Sequence, residues 1–401
     1  MAECQIVVAG HICLDLTPRF FETGAKSLSD ILRPGALAVV GGCVVSTGGP
    51  VANTGLALVK LGVKCRLMGK VGEDAFGRMI IEKLGESGCA EGIIQVPGED
   101  TSYTIAIAPP GIDRVFVHNP GANDSFCADD IDYGAVAEAH IFHLGYPPLM
   151  RRLYEDGGDQ LATIFRRARE CGATTSLDMA LPDPESPAGR ADWAGILAKV
   201  LPDVDLFQPS AEEVLYFLDR DRFLELRAQA AEHGMGLLDL LAAEDYGRLA
   251  GGLLRRGAGV VVLKCGHHGL YARTNVRANL SERRGVDRLD LDDWSDRELW
   301  QPPYRVEHVV SATGAGDCAV AGFLAAFLRG DTIERAMKYA AAVGAQNVTA
   351  HDAISGVKSY AETTETLDVL AEGEFTPVGD GWRYDEARRV WRGPADSGPP
   401  G

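Results

Sequence analysis

Short apolar runs alternate with segments of helical spacing along most of the chain. Gln5 to Gly10 is a β-branched run closed by glycine, which predicts a buried strand feeding a loop, with Asp15 just beyond its end. From Gly48 the text GGPVANTGLALVKLG predicts a glycine turn and then a helix, with Val51, Leu56, Leu58, Val59 and Leu61 at helical spacing and Gly62 at the C-terminal stop. A strand over Lys64 to Lys70 and a helix over Phe76 to Leu84 follow. Thr101 to Ala108 and Arg114 to His118 alternate as β runs around a turn at Pro109-Pro110-Gly111.

Further on, Ala139 to Leu144, Thr174 to Leu177, Val204 to Phe207 and Val260 to Leu263 are short apolar runs separated by helix-like stretches such as Asp159 to Glu170. Strands alternating with helices predict a parallel sheet covered on both faces. Two charged stretches, Asp219 to Leu249 and Thr274 to Gln301, exceed an ordinary α/β connection and are read as surface insertions. Past about Glu365 the chain turns rich in Gly, Pro and charge, so residues 366–401 are expected to form a loosely held tail.

Composition narrows the function classes. The 401 residues carry a net charge of −18, which repels nucleic-acid backbones and anionic lipid, so neither partner is expected. Nine cysteines lie scattered without a CxxC pair, which indicates neither a disulfide framework nor a zinc site. His267-His268 and His143 stand in no metal-ligand spacing and read as surface or packing residues. The apolar start, interrupted by His11 and Asp15 and lacking a basic leader, reads as neither a secretory signal nor a membrane span, so a cytoplasmic location is expected.

The most informative stretch is Ser311-Ala312-Thr313-Gly314-Ala315-Gly316-Asp317, which runs straight into the apolar helix predicted over Cys318 to Leu328. Small residues permit a tight turn whose N–H groups, with the positive end of the helix dipole, can face an anion. Asp317 in the first turn is kept ionised by the same dipole and can accept a proton from a hydroxyl beside a cradled phosphate. Cradle and base together point to phosphoryl transfer, while a plain helix-capping aspartate is the alternative reading of this segment. A dinucleotide fingerprint fails in context, because a second helical stretch, Thr332 to Val348, follows where a strand should. No G-x-x-x-x-G-K-[ST] motif is present.

GGPVAN near the front and TGAGD near the back resemble the two hallmark segments of the ribokinase-like, PfkB family of carbohydrate kinases. LGVKCRLMGKVGEDAFG, RVFVHNPGAN, FQPSAEE and VVLKCGHHG match in order between them, and the resemblance covers roughly Ile6 to Val357. It implies a three-layer Rossmann-like α/β fold over about residues 1–365, with a small β lid drawn from within about 12–47 and 99–120. It also implies ATP as donor and Mg2+ beside the phosphates. By the same resemblance Asp317 is the base and the amides of Thr313, Gly314, Ala315, Gly316 and Asp317 stabilise the moving phosphoryl group. Asp15, Gly48, Gly49 and Asn53 then hold sugar hydroxyls, and Glu213 acts on the metal. Lys264, Gly266 and Gly269 pass under the nucleotide and Asn347 lies near adenine.

Two departures stand out. Ser311 and Ala312 replace the usual Asp-Thr before the glycines, so activation by a monovalent cation is not carried over, and Ser210 replaces the asparagine of the N-x-x-E pattern. The expected activity is phosphorylation of a free sugar or sugar-like polyol, resembling fructokinase or ketodeoxygluconate kinase. The alternatives are a nucleoside kinase, with Tyr103, Phe116 or Tyr146 stacking on the base, and a non-catalytic ligand-binding or scaffold protein. Pairing of two copies through the lid is also expected.

Overall fold

The computed structural model describes residues 4–22, 24–112, 114–283 and 289–398. Residues 284–288 of the second expected insertion, 399–401 of the expected tail, and single positions 23 and 113 within the expected lid segments lie outside the described residues, as do 1–3.

Among the described residues fifteen strands form two sheets. In chain order they are β1 Ile6–Gly10, β2 Cys13–Pro18, β3 Cys43–Gly48, β4 Cys65–Gly72, β5 Ile93–Val96, β6 Tyr103–Ile107, β7 Val115–Asn119 and β8 Ile141–Gly145. They continue with β9 Thr174–Asp178, β10 Leu206–Phe207, β11 Val260–Lys264, β12 Leu270–Thr274, β13 Glu298–Gln301, β14 Arg383–Asp385 and β15 Val390–Arg392. The large sheet has the order β14-β15-β13-β12-β11-β10-β9-β8-β1-β4-β5. Its strands from β5 to β11 are parallel and the remaining four antiparallel. Every residue of β1, β8 and β9 is buried, as a parallel strand covered by helices on both faces requires. The second sheet, β3-β2-β6-β7, is the small lid. This is the α/β architecture expected from the sequence, a mostly parallel central sheet with a smaller second sheet.

Helix Ala315–Leu328 is apolar on nearly all sides and is buried almost throughout, packed between helices Pro50–Lys60 and Ile333–Asn347. It therefore fixes both hallmark motifs relative to each other. Among the described residues no helix is long and apolar enough to cross a membrane.

Three expectations about the periphery are corrected. The C-terminal segment pairs with the large sheet through β15 on β13, with Val390 fully buried and Trp391 packed on the core. Asp396 reaches the buried Arg297 at 2.8 Å, and Arg297 also meets Glu334 at 2.6 Å, so ion pairs and strand pairing hold a segment whose Gly/Pro content suggested looseness. The stretch Thr274 to Gln301 ends in β13, a buried strand of the main sheet, not in a surface insertion. The stretch Asp219 to Leu249 is mostly helix Arg220–His233, which buries Phe223, Leu226 and Ala230, and it ends inside helix Ala243–Arg255, which buries Tyr246, Leu249 and Leu253 against β11 and β12; its charged residues lie on the solvated sides of these packed helices.

Candidate active site

The parallel strands deliver their C-terminal residues to one edge of the large sheet, where crevices form in open α/β folds. Asp178 closes β9, Lys264 closes β11, and Gly10 and Gly145 close β1 and β8. Lys264 Nζ lies 2.5 Å from Asp178 Oδ1, and Asp178 is fully buried. Glu213 and Asp317 add their field to the same ammonium, and together with Asp178 they hold Lys264 protonated despite burial.

Asp317 is buried, and its Oδ2 accepts a hydrogen bond of 2.9 Å from Asn53 Nδ2. Its Oδ1 has no hydrogen-bond partner among the described residues. Burial, then the neighbouring Asp178, push its carboxyl up to about 6, against the pull of Asn53 and Lys264. The amides of Gly316 and Asp317 belong to the first helical turn and have no intrahelical acceptor, so they are free to face an anion. Gly314 turns the chain into the helix at φ 75°, and a Cβ there would sit 2.6 Å from the Cβ of Ala353. Ala353 is itself held by Asn347, whose amide donates to the Ala353 carbonyl. Arg114, near the tip of the lid, donates to Thr313 Oγ1 at 3.0 Å and so bridges lid and cradle.

Beside the cradle is a cavity of about 440 Å³ lined by Lys264, Gly266 and Gly269 on one wall and by Ala315 and Gly316 on another. Val309, Ala341, Gly344 and Val348 make its lining mainly apolar. Asn347 is not among the lining residues, although its neighbours on the helix are. Its buried side chain braces the loop behind the cradle.

On the other side of Asp317 lie the residues of the front motif. Gly48 approaches Asp15 so closely that a Cβ would fall 2.3 Å from its Oδ2, and Gly49, at φ 81°, leaves no room for a side chain against His11. Asp15 accepts from Cys13 Sγ at 3.3 Å, and burial raises its carboxyl. His11 is buried, its two ring nitrogens have no hydrogen-bond partner among the described residues, and its ring lies 5.3 Å from that of His118 and 6.3 Å from that of Tyr146. Burial pushes the His11 imidazole far below the ordinary histidine range, so it is neutral.

The structure thus brings together Asp15, Gly48, Gly49, Asn53, Asp317 and the cradle around one cleft, with Lys264, Gly266 and Gly269 on the adjoining cavity. Glu213 is buried rather than solvated. It forms a capping box in which its Oε2 accepts from the Ser210 N–H at 2.7 Å and its own N–H donates to Ser210 Oγ at 3.2 Å. Burial, then Asp178, push its carboxyl up to about 7, opposed by Lys264. The Ser210 substitution therefore keeps the helix start intact.

Sequence reasoning missed Asp178, His11 and His118. Asp178 carried a usable signal, a carboxylate directly after a buried apolar run. Tyr146, read as a base-stacking candidate, instead sits in the left-handed region at φ 63° with its hydroxyl facing Asp317. A non-glycine residue held there marks a site where the surroundings over-determine the backbone.

The fold that carries this cleft, cradle and cavity is shared with a known family. Residues 6–359 match the pfkB family of carbohydrate kinases, so the chain belongs to that family and is an ATP-dependent carbohydrate kinase. It is 25% identical over 368 residues to an ATP-dependent ribose-1-phosphate kinase of Halopiger xanaduensis, spanning 92% of this chain and 97% of that one. It is 28% identical over 224 residues to fructokinase-2 of Oryza sativa, spanning 55% and 62%. The structure of Arabidopsis thaliana ribokinase complexed with ribose and ATP aligns with a TM-score of 0.67 at 20% identity, over 92% of this chain and 99% of that one, which shows the shared fold.

Proposed function

We propose that the protein transfers the γ-phosphoryl group of ATP to a hydroxyl of a free sugar or sugar-like polyol, with Asp317 as the base. The observation that carries this is Asp317 itself, a buried carboxylate with one oxygen tied to Asn53 and the other unpartnered, in the first turn of a helix that opens on the cavity. In this reading the acceptor lies between Asp15, Gly48, Gly49 and Asn53 on one side and Asp317 on the other. Its attacking hydroxyl gives its proton to Asp317 Oδ1 as the oxygen–phosphorus bond forms and ADP leaves. The amides of Gly316 and Asp317 receive the charge that develops on the phosphoryl oxygens, while those of Thr313 and Ala315, expected to join them, are spent inside the loop on Ser311 Oγ and the Ala312 carbonyl. Adenine occupies the mainly apolar cavity, and Lys264, Gly266 and Gly269 border the phosphates.

The donor set fits magnesium. Among the described residues Asp178 Oδ2 and Asp317 Oδ1 are buried without hydrogen-bond partners, and Glu213 feels the charges of Asp178 and Lys264. Three carboxylates against the one ammonium of Lys264 leave a charge that a hard divalent cation on oxygen ligands balances. Glu213 and Asp178 are the residues that would hold it, and when bound with ATP it neutralises phosphate charge.

The neutral His11 beside Gly49 supports an uncharged, hydroxyl-rich acceptor. A phosphorylated sugar is the second reading, favoured by Arg114 at the cradle and by the near full-length likeness to the Halopiger enzyme. The edge strand β7 exposes Val115, Phe116 and Val117, which supports pairing of two copies through the lid. All nine cysteines are unpaired, which supports action in a reducing compartment such as the cytoplasm. The test is ADP release with ATP and Mg2+ across hexoses, ketoses, sugar acids, polyols, sugar phosphates and nucleosides. Preferred turnover of a sugar phosphate would replace the first reading by the second.

A further inference from the structure

The adjacent histidines His267 and His268 stand on the tight loop that follows β11, and the fold brings them a third polar side chain from far along the chain. Asp239, on the 3-10 turn Leu237–Leu240, presents Oδ1 to His267 Nε2 at 2.8 Å and to His268 Nε2 at 3.1 Å. Its other oxygen is occupied, since Oδ2 accepts from the Gly236 N–H at 2.9 Å. One ligand atom from each of the three residues lies within 4.8 Å of the others.

We propose that Asp239, His267 and His268 form a binding site for a zinc-class divalent cation that staples the Leu237–Leu240 turn to the loop bordering the nucleotide cavity. Two imidazole nitrogens and one carboxylate oxygen are the donor set that borderline cations such as Zn2+ and Co2+ prefer, whereas Mg2+ favours oxygen ligands and keeps its waters. At metal–ligand bonds of about 2.0–2.1 Å, neighbouring ligands of a tetrahedral ion lie roughly 3.3 Å apart. The observed 2.8 and 3.1 Å lie near that spacing and the two imidazole nitrogens lie within 4.8 Å of each other, so an ion would displace the shared proton and turn the carboxylate oxygen off the imidazole axis. A fourth position stays open on the solvent side, because the His267 side chain is 65% exposed.

The ligands are held from behind. Trp300 Nε1 donates to the His268 carbonyl at 2.7 Å, and the His268 ring packs on Phe375 at 5.2 Å between centroids. Cys265 and Gly269 close the loop with a backbone bond of 2.9 Å. Gly266 sits against Leu238, so turn and loop are already in contact before an ion joins them. None of the three residues belongs to the set around Asp317, but His267 and Gly266 both line the nucleotide cavity. An ion here would thus fix one wall of that cavity.

The test is titration of the full chain with Co2+ in excess Mg2+ and without nucleotide, followed by visible absorption and by thermal unfolding. The expected result is one saturable site with the ligand-field bands of nitrogen and oxygen coordination, and a rise in Tm on saturation. Asp239→Asn and His267→Ala should each weaken binding about 10- to 100-fold or more and abolish the Tm rise. The exposed His267 position keeps the test open if the Asp239 variant folds poorly. Absence of saturable binding, binding unchanged in both variants, or thiolate-to-cobalt charge transfer that places the ion on cysteines would each overturn the assignment.

Discussion

Asn53 donates its side-chain amide to the carboxylate of Asp317 across 2.9 Å, joining two residues 264 positions apart. Thr54 adds a bond of 3.3 Å from its hydroxyl to the Asp317 carbonyl. The helix that carries the front motif thus orients the residue to which the back motif owes its chemistry. Asn53 also lowers the proton affinity of Asp317 by bonding to its charged form. Asn53→Ala should reduce turnover by about 10-fold or more through loss of positioning, and should move the acid limb of the pH profile upward. A variant with unchanged kcat and an unmoved limb would remove Asn53 from the account.

The pH dependence follows from Asp317, held up to about 6 by burial and by Asp178. Only the ionised form can take a proton, so kcat/KM should fall as pH drops through about 6, approaching tenfold per unit below it. Stability runs the other way. The folded pKa lies above the ordinary 3.8, so the folded chain keeps a proton that the unfolded chain has lost. This group's contribution therefore declines as pH rises from about 4 to about 6 and stays low above that. Asp317→Asn should raise Tm at pH 8 by a few degrees while removing turnover. Thermal scans at pH 5 and 8 check the sign.

Lys264 and Asp178 form a largely buried pair at 2.5 Å. Lys264→Met leaves Asp178 without its counter-charge and should destabilise the fold by about 3–5 kcal/mol. Adding Asp178→Asn should recover most of that stability without recovering activity, which denaturant titration and ADP release read separately. Equal losses in single and double variants would mean that the two residues do not act as a pair.

Arg297 anchors the C-terminal segment to the sheet with its side chain fully buried between Glu334 and Asp396. Arg297→Ala should cost about 3–5 kcal/mol and expose β14 and β15 to limited proteolysis. Cleavage there at the same rate in the unaltered protein would show that the segment is not held as described.

What could be read from the sequence divides along a physical line. The back half of the cleft was legible as a glycine turn with a candidate base at Asp317, with a capping aspartate as the alternative, and the front half, Gly48, Gly49 and Asn53, only through the resemblance to the kinase family; the fold brings the two together. The alternating elements gave the parallel sheet, since buried strands are continuous apolar runs. The end of the chain was misread because Val390 and Trp391 sit among Gly, Pro and charge, and the pairing of Trp391 and Arg392 with β13 depends on partners about 90 positions away. Asp178 and Lys264 were not linked because nothing local tells that two strand ends lie side by side. The meeting of His267, His268 and Asp239 was invisible for the same reason, the third ligand lying 28 positions upstream.

The central claim is that one carboxylate converts a bound hydroxyl into a nucleophile for ATP. The most direct measurement is ADP release by the purified protein on its best acceptor, with Asp317→Asn compared under identical conditions and ATP binding followed in parallel. The account predicts turnover lowered by about 10²-fold or more with ATP affinity largely kept. Undiminished turnover in the variant would contradict it.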